Sequence, residues 1–304
     1  MSLITVLHYD AFSTIPQKGN PAGIVLDADA LSEHDMQRIA EQVGFNETTF
    51  ILRSDQADVR LRYFTPGHEM NLCGHATIAS LYCLHSKGYF GEKKSINIET
   101  KAGILPIEFT ILDGRLYIKM KQNRSQFIPF QGDIARLAES IGLQVDDIDL
   151  TRTIAYGSTG IWTLLVPIKG LEKFKAMKPM NAMFPSILTE IPQASIHPFC
   201  METYDTDAFM HGRHFSSPYS GTVEDPVTGT ASGVMGAYYL QYMRTDLDSA
   251  EFVVEQGQEM DRDGRVKVQA VRNDDQIEVY IEGTAVFVKD ITIDYGTSIL
   301  STDT

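Results

Sequence analysis

Cys73-Gly74-His75-Ala76-Thr77 lies over Thr228-Gly229-Thr230-Ala231-Ser232 without a gap, at an offset of 155 residues. Upstream of each, Arg62-Tyr63-Phe64-Thr65 lies over Arg213-His214-Phe215-Ser216 at an offset of 151, which leaves the intervening loop four residues longer in the second copy. Both offsets are close to half of the 304 residues. Each half therefore carries a strand, a loop and a glycine-led helix of small residues, and the chain reads as one fold unit used twice. Two similar lobes leave a cleft at their join, where ligand sites are favoured.

The composition of the repeated helix starts has two readings. Small side chains let a helix lie close to surrounding strands, as the core of a curled sheet. The first turn of a helix also presents unpaired N–H groups and the positive end of the helix dipole. There glycine lets an anion approach the backbone, and Thr or Ser adds a hydroxyl. Neither start is a P-loop, since no lysine follows the glycine, and Gly229, Gly233 and Gly236 lack dinucleotide-fingerprint spacing.

Outward from these helices, the pattern is α+β. Strands are expected at Ile4–Phe12, Gly23–Leu26, Thr48–Leu52 and Val59–Phe64, and at Ile96–Ile98, Ile104–Leu112 and Leu116–Met120. Asp113-Gly114 is a hairpin turn. Ser32–Gly44 reads as a helix with Ser32 as cap, Asp35 at the third position, a face of Leu31, Met36, Ile39 and Val43, and Gly44 as terminator. Gln122–Gln131 is the least patterned stretch and the expected crossover between lobes. Helices at Asp133–Gly142 and Ala231–Met243 follow, with strands at Thr153–Ala155 and Trp162–Val166 and a loop-rich, helical stretch with four prolines from Lys169 to Pro198. Strands Phe252–Glu255, Val266–Val271, Ile277–Ile281 and Ala285–Val288 come next, and Ile291–Tyr295 is placed to return to the first lobe. The expected division is residues 1–125 plus 290–304, and 126–289.

Composition narrows the function. Forty acidic residues against 26 basic ones give a formal net charge of −14, a poor match for coating a phosphate backbone. No apolar run approaches the roughly 18 residues that cross a bilayer. Without a signal-like start, and with three widely spaced cysteines (Cys73, Cys83, Cys200), a cytoplasmic protein without a disulfide framework is expected. The eight histidines form no HExxH or H-x3-H pair, and His68 and His75 near Cys73 come with no convincing fourth ligand, so no metal is expected.

Four positions could carry chemistry. Glu47 enters an apolar strand between Phe45 and Phe50, where desolvation would raise its pKa towards that of a general acid/base; it could equally be a surface carboxylate. His75, in a helix first turn, could donate to a substrate oxygen or simply cap and pack. Asp225 precedes the second helix within Glu224-Asp225-Pro226, which is also turn chemistry. Cys73 sits where a helix end lowers a thiol pKa, or is a small buried hydrophobe.

Taken in order, Asp10-Ala11-Phe12 with Gly19-Asn20-Pro21-Ala22, Asn46-Glu47-Thr48-Thr49-Phe50, Arg62-Tyr63-Phe64-Thr65-Pro66 with Glu69, Cys73-Gly74-His75-Ala76-Thr77, and Glu224-Asp225-Pro226-Val227-Thr228-Gly229-Thr230-Ala231 give the chain its likeness. It resembles the phenazine-biosynthesis PhzF-like isomerase family, within the diaminopimelate-epimerase-like fold, over essentially its whole length. The resemblance implies two pseudo-symmetric lobes, each a curled, mostly antiparallel, barrel-like sheet around a central helix. It implies a cofactor-independent isomerase of a small carboxylated metabolite, working as a homodimer. Glu47 matches the acid/base, and His75 and Asp225 match residues that orient substrate or relay protons. Cys73, Gly74, Ala76, Thr228, Gly229, Thr230 and Ala231 are the expected substrate-binding positions, with Thr230 where the phenazine enzyme has serine.

The likeness has one departure. Racemases and epimerases of this fold use two facing thiols, whereas Cys73 here faces Thr228 in the repeat. That Cys/Thr pair resembles hydroxyproline dehydratases, so a Cys73-based epimerase or dehydratase is the alternative enzyme. A non-catalytic binding protein that keeps the fold is the alternative of another class.

Overall fold

The computed structural model describes residues 2–274 and 276–296; the last eight residues of the expected first lobe lie outside the described residues. The first half runs β1 (Leu3–Ala11), β2 (Asn20–Val25), α1 (Glu33–Val43), β3 (Glu47–Leu52), β4 (Val59–Phe64), β5 (Glu69–Met70), α2 (Gly74–Ser86), β6 (Ser95–Thr100), β7 (Gly103–Leu112) and β8 (Arg115–Lys121). The second runs β9 (Gln126–Pro129), α3 (Ile134–Ser140), β10 (Ala155–Ser158), β11 (Trp162–Pro167), α4 (Phe184–Ile187), β12 (Ser195–Cys200), β13 (Met210–Gly212), β14 (His214–Phe215), β15 (Glu224–Asp225), α5 (Gly229–Tyr238), β16 (Ser249–Gln256), β17 (Gly264–Asn273) and β18 (Gln276–Gly283). The closing β19 (Ala285–Asp294) pairs along its length with β1.

The duplication is visible in the pairing. In the first half β2 runs parallel to β3, and β4 parallel to β6. In the second, β11 runs parallel to β12, and β13 parallel to β16. The other ladders are antiparallel, and β8 pairs with β18 to join the halves into one sheet, curled but not closed. The strand after each half then crosses over: β9 lies beside β10 of the second half, and β19 beside β1 of the first.

Each half wraps around a helix that is buried on nearly every side, because small residues fill α2 and α5. In α5 the fit leaves no room for side chains. A Cβ on Gly236 would come within 2.5 Å of Val268, and one on Gly233 within 3.2 Å of Ile281. Outside the sheet, α1 packs Met36 and Ile39 against Phe50 and Phe64. On the second half, α3 and α4 place Leu137, Phe184 and Ile187 in the corresponding layer.

Local signals act as the sequence predicts in several places. Ser32 and Asp35 form a reciprocal capping box, and Gly44 ends α1 at φ 71°. Asp113 and Gly114 turn β7 into β8 with φ 49° and 75°, the pair of positive values a type I′ turn needs.

Elsewhere tertiary partners decide. The unpatterned crossover contains β9, a strand because β10 supplies the ladder and Phe127 packs edge-on against Tyr238 and Tyr242. The helix expected to run to Met243 is α-helical only to Tyr238 and ends in a π turn over Tyr239–Met243. The two short strands expected at the C-terminal side are one, with a register shift opposite His8 and Tyr9 that breaks their alternation.

Candidate active site

The two helix starts meet at the join between halves. Cys73 precedes α2 and Thr228 precedes α5, each extended and neither capping its helix with its side chain. The first-turn N–H groups of Gly74, His75 and Ala76, and of Gly229, Thr230 and Ala231, thus have no acceptor within their own helices. Both helices repeat one internal bond. Thr77 donates through Oγ1 to the Cys73 carbonyl at 2.6 Å, and Ser232 donates to the Thr228 carbonyl at 3.0 Å. Behind each start, an arginine and a glutamate form a bidentate pair: Arg62 of β4 with Glu69 of β5, and Arg213, between β13 and β14, with Glu224 of β15. Each guanidinium also lies over a phenylalanine, Phe64 or Phe215.

At the α2 start, Glu47 is the first residue of β3 and meets a histidine 28 positions later in the chain. His75 Nε2 lies 3.1 Å from Glu47 Oε2, and Cys73 Sγ lies 3.4 Å from His75 Nδ1. Cys73 and His75 are buried and Glu47 is nearly so. The Glu47–His75 approach is close enough for an ion pair but off line for a hydrogen bond, so Oε2 has no aligned donor. Burial opposes a charge on His75, but the Cys73 sulfur and the Glu47 carboxylate outweigh it and hold its pKa well above the histidine range. Burial pushes the Cys73 thiol up, and Glu47 pushes it further. This reverses the expectation of a helix-activated thiolate, because the carboxylate and the lost water outweigh the helix end. The enclosure of Glu47 also differs from expectation. Phe50 lies on the opposite face of β3 against Phe64, and Phe45 packs at a tilt against His8, ring centres 4.5 Å apart. Cys73 and His75 are the groups that crowd the carboxylate.

One ligand atom from each of Glu47, Cys73 and His75 lies within 4.8 Å of the others. Among the described residues, these three, from the start of β3 and the start of α2, are the ones that could hold a metal ion; their spacing in sequence did not show it.

At the α5 start, Asp225 is held rather than crowded. Its Oδ1 accepts from Asn20 Nδ2 at 2.8 Å and from Asn46 Nδ2 at 3.4 Å, and its Oδ2 accepts from Thr228 Oγ1 at 2.5 Å. Gln256 braces this turn from behind. Its Nε2 donates to the Asp225 carbonyl at 2.7 Å and its Oε1 accepts the Thr228 N–H at 3.1 Å. Asn46, adjacent to Glu47, thereby links the two ends of the site. Thr230 is half-buried and its carbonyl accepts from Thr159, while Ala76, Gly229 and Ala231 are buried backbone positions. Sequence reasoning quoted Asn20 and Asn46 in motifs without giving them a role. It missed Gln256, an ordinary strand residue whose only signal is its three-dimensional neighbours.

A curled duplicated sheet thus brings two helix starts, a carboxylate, an imidazole and a second carboxylate together at one join. The chain matches the profile of phenazine biosynthesis-like proteins (PhzC-PhzF) over residues 9–290, and it belongs to that family. It is 52% identical over 282 residues to an uncharacterized isomerase, YfhB, of Bacillus subtilis, covering 93% of this chain and 96% of that one. A crystal structure of a PhzF-family phenazine biosynthesis protein from Bacillus anthracis superposes with a TM-score of 0.95 at 57% identity, covering 97% of this chain and all of that one. A more distant relative, 28% identical over 269 residues, is the trans-2,3-dihydro-3-hydroxyanthranilate isomerase of Pseudomonas aeruginosa; the match covers 86% of this chain and 88% of that enzyme. The chain is thus an enzyme of the isomerase class, which sets aside the non-catalytic alternative. Among the described residues, no helix is long and apolar enough to cross a membrane.

Proposed function

We propose that this isomerase moves a proton between carbons of a small carboxylated metabolite, with Glu47 as general acid/base and no organic cofactor. The observation that carries the reading is the Glu47–His75 contact at the start of α2. Glu47 takes a proton from a substrate C–H; the electron pair passes into the adjacent unsaturated system; the carboxylic acid so formed, exchanging with solvent, returns a proton to a different carbon. His75, whose pKa the adjacent Glu47 carboxylate helps to raise, donates to the substrate or steadies Glu47. Negative charge that develops on substrate oxygens meets the first-turn N–H groups of α2 and α5. Asp225 binds a donor on the substrate from the opposite side. A substrate anion would be held by these local donors, because the net charge of −14 repels it at long range.

The test is exchange in D2O, followed by NMR, over a panel of small unsaturated carboxylic acids. The panel begins with trans-2,3-dihydro-3-hydroxyanthranilate, the compound in the name of the Pseudomonas relative. A turned-over acid should gain solvent deuterium at carbon, and Glu47→Gln should lower both exchange and turnover by about a hundredfold or more while circular dichroism stays native. A Glu47→Gln enzyme with the wild-type rate on that acid overturns the assignment.

A Cys73-based mechanism draws on the 3.4 Å approach of Cys73 to His75. The raised thiol pKa and Thr228 in the matching position weigh against it. Cys73→Ser decides: loss of activity there together with tolerance at Glu47 would reverse the ranking.

A further inference from the structure

The turn between β1 and β2 belongs to the first half by chain order but bonds mainly to the second. Phe12 N–H donates to the Thr284 carbonyl at 2.7 Å, and Arg265 N–H donates to the Phe12 carbonyl at 2.8 Å. Gly19 N–H reaches the Arg262 and Asp263 carbonyls, each at 3.1 Å, and Lys18 Nζ reaches the Asp261 carbonyl at 3.0 Å. Phe12 turns the chain at φ 64°, an unfavourable conformation for an aromatic residue. Its ring is buried over Gly229 and Gly283, where added Cβ atoms would meet it at 3.1 and 2.5 Å. The turn delivers Asn20, which is fully buried, to the α5 start. Asn20 Nδ2 gives one proton to Asp225 Oδ1 and the other to the Val227 carbonyl, both at 2.8 Å. Two acceptors on one nitrogen settle the orientation of the amide.

We propose that Asn20 is a positioning residue that clasps the two halves of the active site, fixing Asp225 and the start of α5 relative to Glu47 and His75. The proposal rests on Asp225 serving the substrate, but not on which group moves the proton. Asn46 is a weaker second strand of the clasp at 3.4 Å. The strained Phe12 turn is what brings the amide within reach, and Gly229 leaves space for the ring that anchors that turn.

Cys73 reports on the clasp without any substrate. It lies at the join, whereas Cys83, on the same helix, is buried inside the first half. Full-length wild type, Asn20→Ala and Asn20→Asp are exposed to iodoacetamide, and each cysteine is followed by peptide mass mapping. Both variants should alkylate Cys73 about tenfold faster than wild type at pH 8, from loss of a hydrogen bond to a charged group, with Cys83 unchanged. In Asn20→Asp the excess over wild type should shrink as pH falls, because a proton shared between two carboxylates restores a donor; in Asn20→Ala it should not. The other titratable groups near this turn are Lys18 with Asp261, Asp263 and Arg265, then His8, Asp10 and Arg262 by the end of β1, and His214 opposite Asp225; Glu47 and His75 stand beside the Cys73 probe. They are common to all three proteins and cancel in the ratio. Unchanged Cys73 rates in both variants, Cys73 and Cys83 rising together, or no pH dependence specific to Asn20→Asp would overturn the clasp. Alkylation needs no turnover, so these outcomes stand whatever Glu47→Gln does to activity.

Discussion

The starts of α2 and α5 descend from one repeated pattern and have been put to opposite electrostatic uses. At α2 a carboxylate, an imidazole and a thiol crowd within ligand distance, and His75 is driven towards its charged form. At α5 the matching positions are Thr228 and Thr230, and the acid, Asp225, is immobilised by Asn20, Asn46 and Thr228. The second half treats its histidines differently from one another: against burial, Glu255 and Glu259 raise the pKa of His211, whereas His197 and His214 are lowered. Burial lowers the pKa of His197 and His214, and His214 and His211 add to the effect at His197. One scaffold thus carries a crowded set of ionisable groups at one helix end and a hydrogen-bonded carboxylate at the other. Duplication supplies two equivalent frames, and side-chain identity at a few positions separates their roles.

The largest effect tests the claim that only the α2 end does chemistry. Glu47→Gln should lower kcat by about 10²–10⁴-fold, the range of general acid/base catalysis, whereas Thr230→Ser should keep most activity. Comparable losses in both would erase the distinction.

The repeated arginine–glutamate pairs should differ in strength. Arg213 also donates to the Phe174 and Met177 carbonyls and is the more buried; Arg62 reaches an exposed Glu33 instead. Arg213→Ala should therefore destabilise by about 3–5 kcal/mol, as when a buried pair loses one partner, and Arg62→Ala by less. Chemical denaturation measures both, and equal losses would show that the halves bear these pairs alike.

The two leading glycines provide a finer contrast. A Cβ on Gly229 would meet Ile281 at 2.7 Å and Phe12 at 3.1 Å, but one on Gly74 would meet nothing closer than Ile281 at 4.0 Å. Gly229→Ala should cost about 1–3 kcal/mol by overpacking, while Gly74→Ala should be near neutral in stability. If Gly229→Ala melts like wild type, the close fit at α5 is looser than the geometry states.

The smallest effect is in the pH dependence. The folded pKa of His75 is raised, so its stabilisation is complete below about pH 6.5 and is lost as pH rises through the folded value. The folded pKa of His197 is lowered, so its contribution is present above about pH 6.5 and is lost as pH falls through the folded value. Thermal melts across pH should show His75→Gln flattening the alkaline side and His197→Leu flattening the acid side. NMR titration should also move the His75 midpoint down in Glu47→Gln; a midpoint that stays put would detach the imidazole from that carboxylate.

Much of the fold was legible because its signals are local or repeated. The capping box of α1, the Asp113-Gly114 turn and the small-residue helices follow from side-chain size, hydrogen-bonding reach and backbone freedom within a few residues. Glu47, His75, Cys73 and Asp225 were legible as candidates, since each sits at the mouth of an element. What escaped was pairing. Nothing near Gln126–Pro129 marks a strand until β10 lies beside it, and nothing near Gln256 marks it as the brace of Thr228.

The sequence by itself determined that one α+β unit occurs twice, that each copy surrounds a helix of small residues, and that the net charge is strongly acidic. Only the tertiary structure decided that His75 and Cys73 crowd Glu47 while Phe50 does not, and that Asn20 grips an aspartate 205 residues away. Periodicity and caps report forces that act along a few turns of chain. The state of a buried acid or imidazole is set by whichever charges and donors the folded sheet carries to within a few ångströms, and those come from distant segments.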